Sequence, residues 1–230
     1  MRNLKKVFLI FLPFGLLAIS LGVFIFLIRS NNQNYADTPT AEVNHADVQG
    51  LSTTQLNPFD KTQYSTTDLN SLWVIITPAN QIPKNYTPDD LQPIQTSIGT
   101  QILVKAEIAK HVDALVTSAQ KENLAIKPVS GYRDYYEQRA LYASRADKTA
   151  ARPGLSEHQL GLAIDVTTGD NENIWLSNHA HKYGFIIRYP KDKELITGMA
   201  YEPWHLRYVG VGLATEIKAK NMTLEEYFKQ

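Results

Sequence analysis

Residues 156–165 read SEHQLGLAID, and the tetrapeptide EPWH follows about forty residues later. These two stretches supply His158, Asp165 and His205. Two imidazoles and one carboxylate can hold a zinc ion and leave the fourth coordination position open, as a catalytic zinc site requires. Glu202 lies three residues before His205, where its carboxylate can act on a water molecule at the metal. The combination predicts a hydrolase rather than a domain that a metal merely stabilises.

Each half of this pattern is weak evidence when taken alone. His158 and Asp165 are seven residues apart, so the loop between them must fold back if both are to reach one ion. A histidine or aspartate beside an apolar strand is more often a hydrogen-bonded structural residue, and the same holds for Glu202 and His205. The sequence contains no HExxH motif, so a zinc site here would differ from the thermolysin type.

The N-terminal part, residues 1–29, reads as a short cytoplasmic stub followed by a transmembrane anchor. Residues 7–28 carry no charged side chain, and a helix of 22 residues matches the roughly 30 Å hydrocarbon core of a bilayer. Arg2, Lys5 and Lys6 precede the run, which favours a cytoplasmic N-terminus and an extracytoplasmic domain. The alternative is a cleaved signal peptide, but its apolar region usually spans only about 7–15 residues. We therefore expect an uncleaved, single-pass anchor in the cell membrane.

The rest of the chain divides into a tether and one domain. Residues 30–71 are rich in Asn, Gln, Thr, Ser and Asp, a composition that predicts a flexible polar tether. Residues 72–230 form the predicted folded domain. Basic and acidic residues number 23 each and form no basic stripe, so the sequence gives no support for nucleic-acid binding. With no cysteine, the domain has no disulfide and must depend on its own core.

The spacing of apolar residues predicts an α+β domain with helices packed on a small antiparallel sheet. Asp134 and Glu137 have the spacing of a capping box that starts a helix. Helices are predicted at 99–122, 134–148, 172–182, 211–220 and 224–229, and strands at 72–76, 126–129, 160–167, 185–189 and 204–209.

Several segments together resemble the VanY-type D-alanyl-D-alanine carboxypeptidases, which share the LAS-type (hedgehog/D-Ala-D-Ala peptidase-like) zinc peptidase fold. The resemblance covers roughly residues 72–222. It is carried by SGYR at 130–133, PGLSEH at 153–158, GLAID at 161–165, YGFIIRYP at 183–190 and YEPWHLRYVG at 201–210.

The resemblance implies that His158, Asp165 and His205 bind one zinc ion per domain, with water in the fourth position. Glu202 would be the general base that takes a proton from this water and passes it to the leaving amine. Arg133 would stabilise the developing oxyanion or clamp the substrate carboxylate. As a bare sequence feature, Arg133 could equally form a surface ion pair with a nearby acidic residue.

Gln138 and Ser156 resemble polar substrate contacts of the family, although both could instead be helix-surface and loop-capping residues. Trp204 is expected to line the cleft or to serve as a packing anchor. The implied partners are peptidoglycan stem peptides and, through the N-terminal helix, the membrane. No protein partner is implied.

Three other functions stay open on the sequence. The same residues could remove D-Ala from a tetrapeptide stem as an L,D-carboxypeptidase, or split a free D-Ala-D-Ala dipeptide. A catalytically silent peptidoglycan-binding module is the alternative from another class, but a binding module has no need of a general base such as Glu202.

Overall fold

The computed structural model describes residues 60–96, 101–145 and 150–229. The predicted anchor at residues 7–28 and most of the predicted tether lie outside these ranges and stay predictions. Within the described ranges, no helix has both the length and the apolar character needed to cross a membrane.

In its described residues the domain has the predicted α+β architecture, with two antiparallel sheets. The smaller sheet pairs β1 (Leu91–Gln95) with β2 (Gln101–Lys105). The larger sheet contains β3 (Lys127–Ser130), β4 (Ala163–Thr167), β5 (Phe185–Tyr189) and β6 (Glu202–Tyr208), in the order β3-β4-β6-β5. The helices are α1 (Ala106–Lys121), α2 (Tyr135–Ser144), α3 (Asp170–His179), α4 (Glu194–Thr197), α5 (Val211–Lys220) and α6 (Leu224–Lys229).

The start of α2 confirms the predicted capping box. Asp134 accepts a hydrogen bond from the Glu137 backbone N–H at 2.7 Å, and Glu137 accepts one from the Asp134 N–H at 2.9 Å. The helix predicted at 99–122 is partly wrong, because it begins only at Ala106 and residues 101–105 form β2. Ile102 fits the helical spacing of Ala106 and Ala109, but Ile102 and Val104 also alternate as in a strand, and pairing with β1 places this segment in the sheet.

The strand predicted at 72–76 is wrong. Its carbonyl groups have a different partner, since Arg207 Nη2 donates to Leu72 O at 2.9 Å and to Val74 O at 3.1 Å. The buried guanidinium of Arg207 thus donates the hydrogen bonds that a neighbouring strand would otherwise donate to these carbonyl groups. The preceding residues also belong to the folded part, because Leu69 packs on the core and accepts a hydrogen bond from the Tyr86 hydroxyl at 3.0 Å. The folded domain therefore includes residues ahead of the boundary predicted at residue 72.

The main core lies between the larger sheet and α1. Side chains at helical spacing on α1 are buried against alternate residues of β4 and β6. The core residues of these elements are Ile108, Val112, Leu115 and Ala119 on α1, Ile164 and Val166 on β4, and Leu206 and Tyr208 on β6. Because successive side chains of a strand point to opposite faces, Asp165 and His205 lie on the other face of the sheet.

Candidate metal centre and active-site cleft

Sheet register brings Asp165 and His205 together. The two residues are direct partners in the antiparallel pairing of β4 with β6, and directly opposed side chains lie on one face about 5 Å apart. The next strand continues this row, because Ser130 of β3 is paired with Asp165 on its other side. The larger sheet therefore presents Ser130, Asp165 and His205 as neighbours on the face away from the core.

His158 reaches the same point from a 3₁₀ turn, Glu157–Leu160, that precedes β4. The turn ends at Gly161, which has φ +68° and donates its N–H to His158 O. A side chain at Gly161 would be strained by this φ and would lie 3.1 Å from the backbone nitrogen of Lys105. The glycine thus permits the reversal that carries His158 back over Asp165, as the sequence spacing required.

The three residues form a set that could hold a metal ion. One potential ligand atom from each of His158, Asp165 and His205 lies within 4.8 Å of the others. His158 Nε2 is 3.2 Å from Asp165 Oδ2, and His205 Nδ1 is 2.8 Å from Asp165 Oδ1. Both imidazoles are buried, at 4 % exposure each.

The hydrogen bonding of His158 tests whether these residues fit a cation. His158 Nδ1 is 2.7 Å from the carbonyl oxygen of Gly131, which can only accept, so Nδ1 must carry the proton. In the neutral ring, Nε2 is then a bare lone pair that faces a carboxylate oxygen of Asp165. Two acceptors at this distance repel each other unless a cation lies between them. Burial lowers the pKa of His158, against the opposing effect of Asp165, and so favours a metal ion over a proton as that cation.

The charges of the set are strongly coupled. Burial alone would raise the pKa of Asp165, but His158 and His205 outweigh it and hold that pKa well below its usual range. Burial lowers the pKa of His205, yet the hydrogen bond and charge of Asp165 raise it overall. Asp165 is therefore ionised, and a His-Asp-His set of this kind suits zinc.

A bulge in β6 brings Glu202 into the same cleft. Between the pairs Ile187–Leu206 and Tyr189–Glu202, β5 advances by two residues while β6 advances by four. Bulges of this kind redirect side chains next to active sites. Glu202 and His205 consequently line one cavity, although strict alternation would place them on opposite faces.

Glu202 has the electrostatic character of a general base. Burial raises its pKa, and the charge of Asp165 raises it further, against a lowering effect of His205. A carboxylate with a raised pKa is a stronger proton acceptor once ionised. Glu202 is not part of the three-residue set that could hold the metal.

Arg133 is held over the metal set by a short chain of hydrogen bonds. Its Nη2 donates to Ser130 Oγ and its Nη1 to Gln138 Oε1, both at 2.7 Å, and Nη2 lies 3.8 Å from Asp165 Oδ2. Gln138 in turn donates to Ala151 O at 2.7 Å. The guanidinium therefore faces the cleft. In the described residues its ion pair is with Asp165, not with an acidic residue on the surface of α2.

The cleft has a volume of about 510 Å³. It is lined by all eight residues that the sequence singled out: Arg133, Gln138, Ser156, His158, Asp165, Glu202, Trp204 and His205. Ser156 makes no side-chain capping bond to the 3₁₀ turn, so the capping alternative is not observed. Trp204 is 42 % exposed, which argues against a packing anchor. Gln138 is buried with both ends of its amide engaged, so its structural role is to hold Arg133.

Comparison with known proteins identifies the family. A family model described as D-alanyl-D-alanine carboxypeptidase, VanY, matches residues 101–211. The bifunctional D-Ala-D-Ala dipeptidase and D-Ala-D-Ala carboxypeptidase VanXYC of Enterococcus gallinarum is 38 % identical over 175 residues, which cover 66 % of this chain and 91 % of the relative. The chain belongs to the VanY family. It is thus a carboxypeptidase of the VanY type, as its sequence motifs predicted.

Solved structures of two peptidases share the fold. The L,D-carboxypeptidase LdcB superposes with a TM-score of 0.63 at 38 % identity, covering 70 % of this chain and 87 % of LdcB. A mutant of the D,D-pentapeptidase VanY from a VanB-type resistance cassette, solved in complex with Zn(II), gives a TM-score of 0.60 at 32 % identity, covering 70 % of this chain and 99 % of that structure. The fold is therefore the LAS type.

Sequence reasoning missed several residues of this VanY-type site. Ser130 had no assigned role, although its pairing with Asp165 places it beside the metal set. The ring of Tyr189 stacks on His205, with centroids 5.1 Å apart and planes 13° apart. Glu157 is buried next to His158 and was also overlooked. Ser130 and Glu157 lie inside the quoted motifs, but the motif alone does not show what they touch.

Proposed function

We propose that this chain is a zinc-dependent D,D-carboxypeptidase that removes the terminal D-Ala from peptidoglycan stem peptides. The observation that carries the proposal is the arrangement of one cleft, in which a His-Asp-His set lies beside Glu202 and Arg133. Membership of the VanY family supports the choice of substrate. The VanY structure solved with Zn(II) supports the choice of metal.

In this proposal His158, Asp165 and His205 hold one zinc ion. A zinc ion in such a site supplies Lewis-acid polarisation of the scissile carbonyl and lowers the pKa of water toward about 7. The chain's own contribution is orientation, because sheet register fixes Asp165 and His205 and the Gly131 carbonyl fixes the ring of His158.

Glu202 moves the proton. Its carboxylate accepts a proton from the water whose oxygen attacks the scissile carbonyl carbon, and returns it to the nitrogen of the leaving D-Ala as the C–N bond breaks. The products are the shortened peptide, with a new carboxylate, and free D-Ala. Arg133 donates to the oxygen that becomes negative during the attack, from a position set by Ser130 and Gln138.

The variant Glu202→Gln tests this mechanism and separates an enzyme from a binding module. It should retain one zinc per chain, because Glu202 is not a ligand, yet lose at least about 100-fold in hydrolysis of a pentapeptide substrate. Glu194→Gln, on the exposed surface of α4, is the matched control and should hydrolyse at the wild-type rate. Undiminished turnover by zinc-loaded Glu202→Gln would show that another group takes the proton.

L,D-carboxypeptidase activity is the second candidate, because LdcB is structurally at least as similar to this chain as VanY is. Incubation of the purified protein with pentapeptide and tetrapeptide muropeptides, followed by HPLC, distinguishes the two. We expect pentapeptide to become tetrapeptide. Conversion of tetrapeptide to tripeptide with pentapeptide left intact would reverse the assignment.

We also propose that residues 7–28 anchor the protein in the cell membrane with the catalytic domain outside. The support is the uncharged apolar run preceded by basic residues. A membrane-bound domain on a polar tether suits a polymeric wall substrate better than a free dipeptide.

A further inference from the structure

A cluster of buried charges lies directly behind the metal set. Glu157, Arg188 and Arg207 are 2 %, 3 % and 0 % exposed. Arg188 Nε donates to Glu157 Oε1 at 2.8 Å. Arg207 Nη1 also lies 2.8 Å from Oε1 as an ion pair, although its N–H is not aligned for a hydrogen bond. On the far side, Glu225 of α6 accepts from Arg188 Nη2 at 2.6 Å and from Nη1 at 3.1 Å.

This arrangement leaves one oxygen of Glu157 unused. Both arginines converge on Oε1, and Oε2 is buried without a hydrogen-bond partner among the described residues. An ionised carboxylate oxygen in this position strongly favours a donor, because an unsatisfied buried polar atom costs about 1–3 kcal/mol, and more when it is charged.

A matching donor lies in the same cavity wall. His205 Nδ1 faces Asp165 and the metal set, so Nε2 points away from the set. Nε2 is likewise buried and has no partner in the described part of the chain. If Nδ1 binds the metal, Nε2 carries the proton and needs an acceptor. Glu157 and His205 line the same cleft and interact electrostatically.

His158 already makes the kind of outer hydrogen bond that His205 would need. The ring nitrogen of His158 that faces away from the metal set donates to the Gly131 carbonyl. Metal-bound histidines almost always have such an outer acceptor, which fixes the tautomer and the ring orientation and makes the ligand more basic. Among the described residues His205 has no such acceptor unless Glu157 supplies it.

We propose that Glu157 is the positioning residue of the metal centre, whose Oε2 accepts the Nε2–H of His205 when zinc is bound. Arg188 and Arg207 hold Oε1 and so aim Oε2 at the ring. The inference depends on the proposed zinc site and adds to it a residue that positions one of the metal ligands.

Zinc affinity of the purified full-length chain, measured by chelator competition, tests the link. Glu157→Gln should weaken zinc binding by about 10–100-fold, since the amide cannot keep its oxygen toward both the arginines and His205. Glu225→Gln is the control, because it weakens the same cluster without touching Oε2. It should lower the thermal midpoint but leave zinc affinity unchanged.

A purely structural role of Glu157 predicts equal zinc affinity in Glu157→Gln and wild type, and that result would overturn the inference alone. A wild-type chain that takes up no zinc would overturn the proposed function with it.

A measurement without mutation covers the case in which Glu157→Gln does not fold. Long-range ¹H–¹⁵N NMR of the zinc-loaded wild-type chain should show His205 protonated at Nε2, with that proton protected from exchange with water. A bare Nε2, or a proton there that exchanges as freely as that of an exposed histidine, would refute the hydrogen bond.

Discussion

Replacing Glu157 by glutamine should remove a large part of the acid sensitivity of folding. Burial would raise the pKa of Glu157, but Arg188 and Arg207 outweigh burial and lower it from 4.5 to about 2. Each pKa unit corresponds to about 1.4 kcal/mol, so ionised Glu157 contributes about 3 kcal/mol to the free energy of unfolding. Because the folded-state pKa is the lower one, this contribution is present above pH 4.5 and is lost as the pH falls toward 2.

Urea unfolding of wild type and Glu157→Gln between pH 7 and pH 2 measures this contribution. The experiment is done with a chelator, because acid also releases metal and would add its own loss of stability. The glutamine variant does not titrate at this position, so the difference between the two proteins isolates Glu157. We expect the variant to be less stable by about 3 kcal/mol at neutral pH.

The decisive quantity is how this difference changes with pH. It should shrink steadily below pH 4.5 and nearly vanish close to pH 2, where Glu157 becomes protonated in the wild type as well. A difference that stays constant from pH 7 to pH 2 would refute the reasoning. It would mean that the variant loses packing rather than the attraction between Glu157 and the two arginines.

Three further outcomes follow from the fold and the sequence. Gly184→Ala should lower the free energy of unfolding by about 1–3 kcal/mol, because Gly184 has φ +82° and a Cβ there would lie 2.5 Å from Tyr208 Cε2. Gly198→Ala is its control in chemical denaturation, since Gly198 has a similar φ of +72° but nothing within 4 Å, and it should cost less. His205→Ala should lose tightly bound zinc in metal analysis, and a variant that still holds one zinc per chain would contradict the ligand assignment. Mass spectrometry of the protein from membranes should find residues 7–28 retained, whereas a mature chain that begins after residue 29 would show cleavage.

The closeness of His158, Asp165 and His205 could be predicted from sequence because the motifs resemble those of a known family. Spacing alone was weak evidence, but the antiparallel pairing of Asp165 with His205 confirms that these two residues are neighbours. The closeness of Glu202 to His205 could also be predicted from the motif. Regular strand alternation would have placed the two side chains on opposite faces, and only the bulge in β6 brings both into one cleft.

The residues around the set could not be predicted in this way. Glu157 looks like a solvent-exposed charge in the sequence, and only tertiary packing places Arg188 and Arg207 against it. The strand prediction at 72–76 failed for the same reason, because no local pattern shows that a distant arginine will bond its carbonyl groups. The pairing of β1 with β2 was missed because β1 contains Pro93, which argues against a strand, and because Ile102 of β2 also fits the spacing of the helix that follows.

The bonds from Arg207 to Leu72 and Val74 also fix the order in which the protein can mature. They join positions 135 and 133 residues apart in the chain. A nascent polypeptide leaves the ribosome N-terminus first, so the carbonyl groups of Leu72 and Val74 have no such partner until residue 207 has been synthesised. The cluster around Glu157 is completed later still, because Arg188 also pairs with Glu225, which follows Arg207 in the chain. The ion pairs that surround Glu157, the residue before His158, are therefore completed only after residue 225 has been synthesised.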